Sequence, residues 1–139
     1  SSGAVLQTLS KPVDFSFGQD FGLTSTGKLA VLKHETNSPM THSIFLYDEG
    51  FTNEIEITQP ADSTDIYWGY GTKANSGGFE VFGEYILVSA TEADNNGITN
   101  CGAVYRYNDS GVLQDIFYGT VANQKIGTNI SVGTALPSS

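Results

Sequence analysis

The sequence predicts an all-β fold: two four-stranded antiparallel meander repeats, shaped like propeller blades, with an extra strand at each end. Three observations carry this expectation. The 139 residues hold 7 Tyr, 8 Phe and 16 Gly, a composition of strands and tight turns, and no convincing helical period is visible. Ser25–Glu35 (STGKLAVLKHE) matches Val81–Glu92 (VFGEYILVSATE), each giving a glycine, a charged residue and an apolar run. After each comes a polar loop, then an aromatic segment ending in tyrosine and a turn: Ser43–Gly50 (SIFLYDEG) and Ala103–Gly111 (AVYRYNDSG). Self-similarity at a fixed period marks a repeat architecture.

Each element follows from local chemistry. The first strand of each unit is expected at Gly22–Thr26 and Gly78–Phe82, and the second at Lys28–Lys33 and Glu84–Ala90. Gly27 and Gly83 sit in the hairpin turns between them, where a positive φ is often required. The second strands are apolar on both faces (LAVL, YILV), as strands covered on two sides must be. Leu29, Val31, Ile86 and Val88 are therefore expected in the core. The third strands fall at Ser43–Tyr47 and Ala103–Tyr107, with Gly50 and Gly111 in the next turns. The fourth fall at Asn53–Thr58 and Val112–Phe117. In the former, Ile55 and Ile57 alternate with Glu54 and Glu56, which suits an exposed edge guarded by charge.

The ends echo the repeats. Ala4–Leu9 follows a glycine with the same Val-Leu-Gln as Gly111–Gln114, and reads as a stray fourth strand. Thr128–Gly133 reads as a stray first strand. The chain is then a single all-β unit over 1–139, with repeats at about 17–60 and 70–118 and terminal strands at 4–9 and 128–133. Unpaired strand backbone is costly, so both ends are expected to pair, across the chain or with a neighbouring one.

These units resemble FG-GAP repeats, the blades of integrin-α-like β-propellers. The match is strongest over 78–118, where Gly83–Gly111 (GEYILVSATEADNNGITNCGAVYRYNDSG) follows the family's glycine turn, YLVV-like strand, polar loop and GAVY strand. Phe-Gly stands at Phe17-Gly18 and Phe21-Gly22, while the GAP element is altered to Ser89–Thr91 (SAT) and Lys33–Glu35 (KHE). The resemblance implies a propeller and a calcium loop. The nearest stretch to that loop is Glu92–Gly97 (EADNNG), where Asp94, Asn95 and Asn96 are oxygen donors without the matching carboxylate spacing, so an Asn-Gly turn is the favoured reading. Propellers close with about four to eight blades. Two blades leave three arrangements open: part of a longer propeller, an assembly of several copies, or two sheets packed as a β-sandwich.

Charge narrows the partners. Six Lys plus Arg against fifteen Asp plus Glu give a net charge of −9, which argues against nucleic acid or an anionic membrane surface as partner. No stretch of about twenty apolar residues is present for membrane insertion. His34 and His42 flank a loop and make a two-ligand metal candidate with Glu35, short of the four ligands of structural zinc. Cys101 has no histidine near it in sequence, and no Gly-x-Ser-x-Gly occurs, so enzyme chemistry is not expected. Asn108 and Asn129 fit the N-glycosylation pattern. Tyr67, Trp68 and Tyr70 form an aromatic cluster between the units, suited either to stacking on a sugar or partner or to core packing.

In a meander alternate connections share an end. The glycine turns are expected at one end and the long connections at the other, so the loop-rich end is the candidate ligand face. Ligand-binding candidates there are Tyr67, Trp68, Tyr70, Asp94, Asn95 and Asn96. The expected function is a non-enzymatic extracellular or surface-exposed adhesion or assembly module, with no cofactor expected; calcium enters only as what the resemblance implies. Its partners would be a protein subunit, a glycan or its own copies. The alternative is a structural subunit of a filament, fibre or virion surface, assembled through its terminal strands.

Overall fold

The computed structural model describes residues 5, 7–9, 15–35, 42–60, 68–69, 78–128 and 130. Among them are eight strands in two antiparallel four-stranded sheets, and no helix. The first sheet runs in chain order through β1 (Phe15–Leu23), β2 (Leu29–Glu35), β3 (His42–Asp48) and β4 (Thr52–Thr58). The second repeats that order with β5 (Phe79–Phe82), β6 (Tyr85–Ala90), β7 (Ala103–Asn108) and β8 (Leu113–Tyr118).

Seven of the eight strands lie within one or two residues of their expected places. The exception is β1, which begins at Phe15 and ends at Leu23, so that Thr24–Gly27 is turn rather than strand. Its pairing with β2 shifts register between Phe17 and Phe21, and Gly18 adopts a φ of 84° within that bulge. A glycine tolerates this conformation where a side chain would be strained.

The short turns of both sheets meet at one end. The Ser25 amide donates to the Gly83 carbonyl at 2.8 Å, joining the first hairpin turn of each sheet. The Thr26 hydroxyl donates to Asp109, in the turn between β7 and β8. On the far side of the same interface, Gly111 leaves room for the Ile55 side chain of β4; a Cβ there would stand 2.8 Å from it. β1 thus lies by β5, and β4 lies by the β7–β8 turn. The two sheets keep the same strand order and the same direction.

Between them lies the main core. Ala30, Leu32, Ile44, Leu46 and Ile57 of the first sheet pack against Phe79, Ile86, Val88, Tyr105 and Tyr107 of the second, with Trp68 among them. Gly22 admits Val81 here, whose Cγ2 lies 2.6 Å from where a Cβ would be. Leu29 and Val31 do not join this core. With Phe45 and Tyr47 they form a second cluster on the outer face of the first sheet, packed with Phe17 and Leu9. The alternation of β2 decides this, since adjacent side chains point to opposite faces. A run that is apolar on both faces predicts two clusters, and only Ile86 and Val88 of the expected four face the other sheet.

The registers fix which residues correspond between the sheets. Val31 pairs with Phe21 and Phe45, as Val88 pairs with Phe79 and Tyr105. Leu29 pairs with Tyr47, as Ile86 pairs with Tyr107. Phe45 and Tyr47 stack at 6.3 Å and 16°; their counterparts Tyr105 and Tyr107 stack at 6.5 Å and 17°. The second pair lies inside the interface between the sheets, and the first lies on the outside of the first sheet. Corresponding faces therefore look the same way along the stack.

At the N-terminal end, Val5 and Gln7–Leu9, the described residues of the expected strand over 4–9, are not in a strand. Gln7 donates from Nε2 to the Gly50 carbonyl at 2.7 Å, and Leu9 rests on the outer cluster. Of the expected strand over 128–133, Thr128 and Ile130 are not in a strand and the rest lies outside the described residues. Ile126, just before it, makes an isolated parallel bridge with Gly102.

Candidate functional site

Among the described residues, the end opposite the glycine turns is built from two connections, 91–102 between β6 and β7 and 119–127 after β8. Backbone hydrogen bonds knit them together. The Gly102 amide donates to the Ala93 carbonyl at 3.0 Å, and the Gly119 amide to the Gly102 carbonyl at 2.9 Å. Asn123, Lys125 and Ile126 donate to the carbonyls of Thr99, Asn100 and Cys101 at 2.9, 3.1 and 3.1 Å. A Cβ at Gly119 would collide with the Cys101 carbonyl, and one at Gly102 with the Ile126 backbone. Glycine is required at both places because two backbones pass in contact.

Side chains finish the platform. The Gln124 amide oxygen accepts from the backbone of Thr120 at 2.9 Å and of Val121 at 3.3 Å, closing the 119–127 loop on itself. Glu92 and Lys125 bridge the two loops at 3.0 Å, a half-exposed ion pair of modest worth. Asn100 and Asn123 bring their amides together at 3.4 Å. The outcome is a braced surface that presents amides, one ion pair and the exposed side chain of Val121. Sequence reading placed both Thr91–Cys101 and Gly119–Gln124 at this end, but named candidate residues only in the first and did not foresee the lock between them. Its signal was faint, because the link is made by backbone groups that any residue carries.

Asp94, Asn95 and Asn96 are at this end, as expected, and their local structure is a tight turn. Asn95 and Ile98 exchange backbone hydrogen bonds at 3.2 and 2.9 Å, around Asn96 and Gly97 with φ of 50° and 80°. Two successive positive φ values make this the hairpin turn that Asn-Gly favours. Asp94 Oδ1 accepts from the Asn100 amide at 2.7 Å, so this carboxylate braces the loop. Among the described residues no group of three His, Cys, Asp or Glu stands together.

The other candidates separate. Trp68 is fully buried in the inter-sheet core, edge-on to Tyr107, which is the packing alternative of its two expected roles. Tyr67 and Tyr70 lie outside the described residues, as does Asn129. His34 and His42 are paired directly across β2 and β3, and the His42 ring is buried. Asn108 turns its Oδ1 onto the amides of Ser110 and Val112, both at 3.0 Å, and so shapes the β7–β8 turn at the other end of the molecule. Cys101 is fully buried, with its thiol 3.4 Å from the Ala93 carbonyl.

Two groups on β3 have shifted acidity. Burial, reinforced by the hydrogen bond that the Tyr47 hydroxyl gives Glu54 at 2.7 Å, pushes the Tyr47 phenol well above its ordinary range. The hydrogen bond from Asn53 at 2.8 Å, with Lys28 beside it, holds Asp48 below the usual carboxylate value. Both belong to the frame of β3 and β4 rather than to the loop platform.

No protein-family model matches the chain, and no curated protein or solved structure matches it.

Proposed function

We propose that the chain is a non-enzymatic adhesion or assembly module whose two sheets are consecutive blades of propeller type. The observation that carries this reading is the placement of Tyr47 and Tyr107. They are equivalent residues, yet Tyr107 lies inside the inter-sheet core and Tyr47 on the far side of its own sheet. In a two-fold sandwich, equivalent faces would meet each other. Successive blades instead set unlike faces together and keep strand order and direction. The likeness of 78–118 to FG-GAP repeats agrees with this reading.

The braced loop end is the ligand face, and its ligand is a protein or glycan in an extracellular or surface-exposed setting. Amides and an ion pair suit hydrogen bonding to such a partner. A glycan array and a panel of surface proteins, probed with the wild-type chain, test this. Binding should be lost in Val121→Asp at the loop end and kept in Asp109→Ala at the turn end. The opposite pattern, or no ligand on either panel, would sink the reading. The alternative of a structural subunit is favoured by apolar side chains on the outer faces of both sheets.

A further inference from the structure

Phe21 and Phe79 occupy the same place in their sheets, each paired with the valine of the second strand. Phe79 is 4% exposed and Phe21 is 69% exposed. Leu23, the counterpart of half-buried Val81, is 66% exposed. The first sheet covers Phe79 and Val81, whereas among the described residues no sheet covers Phe21 and Leu23. Between Phe21, Phe17, Leu29, Val31, Phe51 and Leu9 lies an open groove of about 400 Å³.

The rest of the covered interface is already in place there. Trp68, eleven residues before Phe79, packs on Tyr107; Leu9, twelve residues before Phe21, packs on the cluster of Tyr47. Each sheet thus receives an apolar side chain from the segment that precedes it. Among the described residues a covering sheet is present only in the first case.

The chain also carries the face that would do the covering. The first sheet covers the second with Ala30, Ile44 and Ile57; Leu87, Val104 and Phe117 stand at those places on the outer face of the second sheet. This correspondence follows from register, since Ile44 pairs with Ile57 as Val104 pairs with Phe117. Phe117 is 59% exposed. Leu46 and Ile55 become Arg106 and Asp115, which neutralise each other in an ion pair, with Arg106 lying 4.7 Å over the Tyr85 ring. The chain even passes onto this face alike. Gly69 lies against Leu32 on the first sheet, and Gly127 lies against Ser89, the counterpart of Leu32, on the second.

We propose that the outer face of the first sheet is a docking surface for a second copy of this chain. The second copy presents the outer face of its second sheet and continues the stack head to tail. Such an interface is heterologous and gives a ring or an open filament, according to whether the rotation closes. It rests on the reading of the sheets as successive blades. With a net charge of −9 per chain, copies repel at low ionic strength, so assembly rises with salt as the repulsion is screened.

Sedimentation of the full chain over a range of concentrations tests this, with two variants. Phe21→Asp spoils the receiving face and Phe117→Asp spoils the presenting face. Both side chains are exposed, so each variant should melt close to wild type. Wild type should sediment above its 14.8 kDa monomer mass as concentration and salt rise. Each variant alone should be monomeric, and an equimolar mixture should form dimers and stop, since one good interface remains. A monomeric wild type, a mixture that stays monomeric, or a Phe117→Asp variant that assembles like wild type would each overturn the proposal. If either variant fails to fold, Leu23→Asp and Phe82→Asp replace the pair on the same two faces. Binding at the loop end is read separately. A monomer that keeps its ligand defeats only the docking of a second copy, while assembly without any ligand defeats only the ligand face.

Discussion

Trp68 stands edge-on to Tyr107, with ring centroids 6.3 Å apart and planes at 87°. This contact ties the segment between the sheets into the core that both sheets share. Among the described residues no partner reaches the indole Nε1, so the ring contributes through packing alone. Trp68→Ala should cost about 3–5 kcal/mol, the usual range for emptying a large aromatic site. Trp68→Phe should cost clearly less, because it keeps an aromatic edge and removes an unsatisfied donor. Urea denaturation of the two variants checks the order; equal losses would show that the indole N–H is satisfied.

Val88 faces the same core and is fully buried. Val88→Asp should abolish soluble folding. An unpaired buried charge costs several kcal/mol, comparable with the whole stability of a domain. Circular dichroism and solubility report the result, and a cooperative melt like that of wild type would mean that β6 is placed wrongly.

Gly22 and Val81 test the contact between β1 and β5. Gly22→Ala should destabilise by about 1–3 kcal/mol through overpacking. Val81→Ala empties the space that the new methyl enters, so the double variant should be more stable than the sum of the single losses predicts. Strict additivity would separate the two residues and with them the two sheets.

Tyr47 predicts an alkaline effect. Its folded pKa lies above the ordinary value of 10.0, first through burial and then through Glu54. A raised pKa stabilises the fold while the unfolded phenol keeps its proton. That contribution is present below about pH 10 and fades above it, as the unfolded chain ionises first. The stability gap between wild type and Tyr47→Phe should therefore hold up to about pH 10 and narrow as the pH rises above it. A gap that widens over that range would reverse the sign.

Sequence made the strands legible because the punctuation is strong. Gly27, Gly50, Gly83 and Gly111 all adopt positive φ, as turns of this kind demand. It missed the start of β1 because SFGQDFG looks like a turn. The strand survives there only because Gly18 absorbs a bulge while β2 holds both flanks. The alternation of β2 showed that both faces are apolar, but not which face meets the second sheet. That choice is made by residues far apart, such as Val81 filling the space at Gly22. The candidate site was half legible for a similar reason. Asn96-Gly97 announced its turn, whereas the lock between 91–102 and 119–127 is made by backbone groups that leave no mark in composition.

That lock closes over Cys101, the one thiol in the sequence. A reagent that modifies thiols meets it only when the carbonyl and amide contacts of Cys101, Gly102 and Gly119 come apart. The rate of alkylation in native buffer thus acts as a clock for that opening, separate from global unfolding. A ligand seated on the loop end would slow the clock without touching the sulfur. The chain therefore carries its own reporter for occupancy, and needs no label to be read.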